Sequence, residues 1–244
     1  MRKIVQFAVA AMGVVALSGP VQAAKYKEGD VANGGTIIGK VLAGSAKPNV
    51  RKYTISKDTE VCGTGERLVP MVEVKDGALM NAVVFLEKIK AGKKFPAGLT
   101  KNTLDQKKCS FEPYLSFMRN KGELEAVNSD TVLHNIHVYE QIGRARRTVL
   151  NVSQPEKGSI VTKKIKLRKG SGMKIECDAH DFMHAFVFVA RNPYFARVND
   201  KGEFEIKDVP PGKYKIKVWH GFLGEKKGKI EVKAGGTAKI DFSY

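Results

Sequence analysis

The stretch MKIECDAHDFMHAFVFVAR, residues 173–191, has two textures. Its flanks, MKIE and AFVFVAR, are rich in branched and aromatic residues and free of Gly and Pro, so both read as β-strands. Between them Cys177, His180, Met183 and His184 place four soft or borderline donor side chains within eight residues. Asp178 and Ala179 separate Cys177 from His180, and Asp181 and Phe182 separate His180 from Met183. A short loop between two paired strands holds such side chains with little freedom and aims three of them at one point.

The β texture extends over the whole chain. TIIGKVLAG, LVPMVEV, NAVVFLEKI, ELEAVNS, HNIHVYE, EFEIKDV, KYKIKVWH and GKIEVK are short, and many alternate apolar with polar residues. Turn residues such as NKG, RKGSG, NDKG, VPPGK and KAGGT separate them. Many short strands with Gly and Pro turns predict an all-β sandwich or Greek-key barrel. TLDQKKCSFEPYLSFMRN is the one segment compatible with a short helix. A boundary is expected near residue 191. The 54 residues after position 190 are few for an independent sandwich, so TIIGKVLAG and NAVVFLEKI are expected to pack with that tail.

The N-terminus has a different character. Arg2 and Lys3, an apolar run, and small residues at Val21 and Ala23 form the three-part layout of an export signal, with cleavage expected after Ala23. The run is short for a membrane span, and no later stretch is apolar enough to be one. The remainder, residues 24–244, carries 40 basic and 25 acidic residues, a net charge of +15. A periplasmic or secreted chain seldom meets nucleic acid, and no recognition motif for it is present. The basic surface fits an acidic partner or an anionic membrane face, with plain solubility as the alternative. Three cysteines are an odd number for an oxidising compartment. Cys62 and Cys109 have polar, turn-rich neighbours and are expected to pair as a disulfide. Cys177 is then the free thiolate.

Upstream, NSDTVLHNIH places His134 after a polar turn, 43 residues before Cys177. Two imidazoles and a thiolate in a trigonal set, with a weak axial thioether, are what a mononuclear copper electron-transfer site requires. His134, Cys177, His180 and Met183 supply that set by type and order. Zinc is the competing ion, and the neighbouring Met favours copper.

NSDTVLHNIH with CDAHDFM resembles the copper-site signature of the cupredoxins, the blue copper proteins, with a short ligand loop of the amicyanin kind. The resemblance implies one copper ion on His134, Cys177, His180 and Met183. It also implies Asn135 as the residue tying the two ligand segments together near the sulfur. The tail, DKGEFEIKDVPPGKYKIKVWH, resembles the carboxypeptidase regulatory-like, or transthyretin-like, β domain, which is itself similar to carbohydrate-binding sandwiches. HNIH, NPYFARV and WHGFLG are similar to exported bacterial proteins that join two such parts. Asp181, Phe182, Asn192, Gly221 and Tyr114 depart from that pattern. The implied architecture is a Greek-key cupredoxin-like sandwich over residues 24–190 and a small regulatory-like sandwich over residues 191–244.

The other histidines read as bystanders. His137 lies three residues beyond His134, on the opposite face of a strand. His184 points away from Met183, and His220 in KVWHGFLG packs at a strand end. They remain alternative ligand or docking residues. Trp219 and the strand FVFVAR read as core. No nucleophile elbow, paired carboxylates or phosphate loop points to an enzyme, and a copper oxidoreductase, which would need a second histidine cluster, stays as a third reading. The expectation is a copper protein that carries one electron, with His180 as its port and an acidic redox protein, such as a c-type cytochrome, as partner. The alternative is a non-redox module that contacts glycans or the cell surface, or stores copper.

Overall fold

The computed structural model describes residues 26–244, and the expected export signal lies outside them. Among the described residues no helix is long and apolar enough to cross a membrane. The architecture is all β, and among the described residues the one helix is the four-residue α1 at Thr59–Cys62. The helix-compatible segment around Cys109 is instead three strands: Lys101–Gln106, Phe111–Glu112 and Leu115–Arg119. Its burial alternates with period two, Asn102, Leu104 and Gln106 facing in, so sheet packing decides its conformation.

Two sheets form the first sandwich. One has the order Leu115–Arg119, His184–Ala190, Gly172–Glu176, His134–Ile142, Ala145–Gln154. The other has the order Phe111–Glu112, Lys101–Gln106, Glu123–Asn128, Ile160–Lys164. Their inner faces share one core, with Leu104, Leu124 and Ala126 against Ile136, Val138, Met173 and Ile175. The hairpin Asn49–Ile55/Gly65–Val72, with α1 between its strands, adds Ile55, Cys62, Val69 and Met71 to that core.

The second sandwich joins the tail to early chain. Gly35–Leu42 pairs with Glu203–Val209, and Ala82–Leu86 pairs with both Gly212–His220 and Phe195–Arg197. Ile37, Val84, Leu86, Phe204, Ile216 and Val218 are among the residues of its core.

His184–Ala190 is buried on both faces, which explains its unbroken apolar run. Ala185, Val187 and Val189 enter the first core. Phe186, Phe188 and Ala190 meet Val83, Phe85 and Trp219 of the second sandwich. This aromatic joint closes tightly. A Cβ on Gly172 would lie 2.2 Å from the Trp219 ring, and one on Gly221 2.4 Å from the Phe186 ring. Glycine at position 221, a departure noted in the sequence, is therefore required by close packing.

Candidate metal centre

The free thiol is Cys177, which directly follows the strand Gly172–Glu176. The loop after it closes on itself. The Met183 amide donates to the His180 carbonyl at 3.0 Å, and the Cys177 amide to the Met183 carbonyl at 3.4 Å. His134 opens the neighbouring strand His134–Ile142 with its side chain inward. These placements bring three donors together: the Cys177 Sγ lies 3.9 Å from His134 Nδ1 and 3.8 Å from His180 Nδ1. Met183 is 2% exposed in the same core. The Asn135 amide donates to Cys177 Sγ at 3.3 Å, and its Oδ1 accepts the Asp178 amide at 3.3 Å, linking the two ligand segments.

Each imidazole is fixed from behind by a carboxylate. His134 Nε2 lies 2.9 Å from Asp130 Oδ2, and His180 Nε2 lies 2.9 Å from Asp58 Oδ2. An ionised carboxylate only accepts, so each Nε2 is the donor to its carboxylate, and each Nδ1 faces the sulfur. Asp130 also accepts the amides of Lys108 and Cys109 at 2.7 and 2.8 Å. Burial opposes its charge, but the Cys109 amide, the His134 ring and the Lys108 amide outweigh it and hold the carboxyl below its ordinary range. Burial pushes the Cys177 thiol up, against the amides of Asn135, Ala179 and His180. Burial also lowers the His180 pKa, against the pull of Asp58. A buried thiol beside two imidazole nitrogens forms a site that can exchange the thiol proton for a cation.

The donor set fits copper. A trigonal ion about 2.0–2.1 Å from nitrogen and about 2.3 Å from sulfur, bond lengths of the zinc kind, separates sulfur and nitrogen by about 3.7–3.8 Å. Both observed separations match that figure.

A lid covers the imidazoles. Cys62 and Cys109 form a disulfide, and both sulfurs lie within 4.8 Å of a His180 ring nitrogen. Arg67 donates to the carbonyls of Cys109, Cys62 and Lys108 and stacks over Phe182 at 4.5 Å. Tyr53 meets Phe182 edge-on. The departure at Phe182 thus gives the lid its seat, whereas Asp181 is exposed. The expectation of His180 as a surface port fails, because the residue is 2% exposed beneath Asp58 and the disulfide.

The remaining histidines lie elsewhere. His137 faces outward and bonds Asp178 at 3.0 Å. His184 sits in the joint between Tyr114 and Phe222. His220 Nδ1 accepts the amides of Phe222 and Leu223. Burial lowers the pKa of both His184 and His220 to about 4. Sequence reasoning missed Asp58, Asp130 and Arg67. Only Asp130 left a signal, as the last residue of the polar turn before His134.

A β-sandwich protein with one candidate metal centre is the class these features define. A family model described as polysaccharide lyase family 4, domain II, matches residues 184–240. Among solved structures, an amicyanin variant in its Cu(I) state is 17% identical over 36% of this chain and 80% of its own, with a TM-score of 0.29. Amicyanin from Paracoccus versutus is 14% identical over 40% and 86%, with a TM-score of 0.31. A copper-containing nitrite reductase from Thermus scotoductus is 16% identical over 42% of this chain and 24% of the reductase, with a TM-score of 0.30. No curated protein matches the sequence.

Proposed function

We propose that this is an exported, cupredoxin-like protein that holds one copper ion and passes single electrons. Cys177 Sγ, with two imidazole Nδ1 atoms at 3.8 and 3.9 Å and a carboxylate behind each ring, is the observation that carries the reading. His134, Cys177 and His180 would hold the ion strongly, and Met183 would be the weak axial donor. When bound, copper supplies a one-electron couple. The chain's own part is to fix the donor triangle, keep water out and balance the charge. Fixed donors mean little rearrangement between the two charge states. The partner in this reading is an acidic redox protein such as a c-type cytochrome.

The lid favours a second reading, a copper store, because a sealed site exchanges its ion slowly. One experiment tests both. Cu(II) is added to residues 24–244 and the visible spectrum recorded. An intense blue thiolate band, lost in Cys177→Ser, is expected. A colourless protein with a reactive Cys177 thiol sinks the copper reading. A blue protein that surrenders copper only slowly to a chelator, and also exchanges electrons slowly, supports storage. Export is tested separately, by sequencing the N-terminus of the mature protein, which is expected to begin at Ala24.

A further inference from the structure

The imidazole side of the centre is covered by the lid, since His134 is 0% and His180 2% exposed and the Asp58 side chain between His180 and solvent is 24% exposed. The thiolate side is different. Asp178, joined covalently to Cys177, has a side chain that is 49% exposed. Its carboxylate oxygens lie 3.0 Å from His137 Nδ1, and Asn151 donates to it at 3.3 Å. The His137 ring stacks on Tyr139 with centroids 4.0 Å apart, and the Arg146 guanidinium lies over Tyr139 at 4.3 Å. Thr148 closes the group, 3.2 Å from His137 Nε2. A chain of bonds and stacked rings therefore runs from the sulfur to the outer face of the strands His134–Ile142 and Ala145–Gln154.

The geometry points to this face as the electron port and docking surface for an acidic redox protein, with His137 and Tyr139 as positioning residues of the route. This inference rests on the copper reading above. Through-bond steps from Cys177 to Asp178, then one hydrogen bond to His137, replace a jump across the lid. One electron passes from the reduced site to one acceptor, and no proton or bond moves with it.

The charge of the face selects the occupant. Arg146 and Lys174 share the single carboxylate of Glu176. Among the described residues Arg144 is exposed and makes no ion pair. Asp178, half-exposed on the same face, is engaged by His137 and Asn151, which leaves the two arginines as the outermost charges. An arginine resting on a tyrosine, with a second arginine beside it, is the anchor chemistry that recognises carboxylates.

The test uses hexacyanochromate(III), a redox-inert trianion, with ¹⁵N-labelled residues 24–244 in metal-free and Cu(I) forms. Amide broadening is expected around residues 144–151 and Asp178 in both forms. Ferricyanide oxidation of the Cu(I) protein is then timed at low salt. Arg144→Glu with Arg146→Glu is expected to slow it about tenfold, the scale of lost electrostatic steering. Arg51→Glu with Lys52→Glu, exposed on the lid strand Asn49–Ile55, is expected to change it less than twofold. Broadening centred on residues 51–62, equal slowing by both pairs, or no slowing by the first pair would overturn the inference. A chain that binds no copper fails the underlying reading instead, and the metal-free map still judges the face.

Discussion

Asp58→Asn isolates the charge behind His180. Asp58 accepts His180 Nε2 at 2.9 Å from a left-handed backbone, φ 51°. Asn tolerates that conformation and keeps an oxygen acceptor, so the substitution removes charge and little else. Adding an imidazole's width to the hydrogen bond puts the carboxylate roughly 7 Å from an ion at Nδ1. At an effective dielectric near 20, one charge at that distance is worth about 2 kcal/mol. For a one-electron couple that equals about 100 mV, since each tenfold change is about 59 mV. A negative charge stabilises Cu(II) more than Cu(I), so its removal must raise the potential. Asp58 is 24% exposed, so water screens part of the effect and 50–100 mV is the expected rise, roughly. Protein-film voltammetry of the copper-loaded protein reads the shift, and the blue band checks that the donors stay in place. A blue variant whose potential is unchanged or lower refutes the idea that this carboxylate tunes the centre.

Replacing both Cys62 and Cys109 by Ala opens a loop of 47 residues and should cost about 4 kcal/mol by loop entropy. Urea unfolding measures that cost, and copper release to a chelator should accelerate as the lid loosens. Gly172→Ala drives a Cβ into Trp219 and should destabilise by about 1–3 kcal/mol, with a change in Trp fluorescence; full stability would refute the tight joint. His184 and His220 have folded pKa values of about 4, so the unfolded chain binds protons first as pH falls. Their contribution is intact above about pH 6.5 and lost toward pH 4, by at most about 3 kcal/mol each. Urea midpoints at pH 7 and 4.5 should show the loss, His184→Phe should remove its share, and an unchanged midpoint would contradict the burial argument.

The cluster of His134, Cys177 and His180 was legible because its signal is local. Cys177, His180 and Met183 sit on one loop whose flanking strands announce themselves by composition, and His134 follows a turn. The carboxylate behind His180 was not legible. Asp58 is 122 residues from His180, and nothing in KDTEVC marks it as a partner of a distant loop. LVPMVEV could be read as a strand, but its packing against Phe182 through Arg67 depends on tertiary contacts. The segment around Cys109 shows the same limit, since its spacing allowed a helix and sheet pairing with Glu123–Asn128 decided otherwise. The odd cysteine count worked because it is a statement about chemistry, independent of conformation.

Lid and centre are one construction. Asp58 begins the turn of α1 that ends at Cys62, whose amide bonds the Asp58 carbonyl. Asp130 accepts the amide of Cys109. Each half of the disulfide therefore carries a carboxylate to one imidazole, and Arg67 binds both halves to the loop that holds Cys177. A surface disulfide would serve stability alone. This one fixes the two groups that orient the histidines, so the loop-entropy term that stabilises the fold also preorganises the donors. The same covering keeps both imidazoles themselves from solvent, with the partly exposed Asp58 outside His180. The thiolate face, with His137, Tyr139 and Arg146 outside it, is then where the centre and the solvent come within one residue of each other.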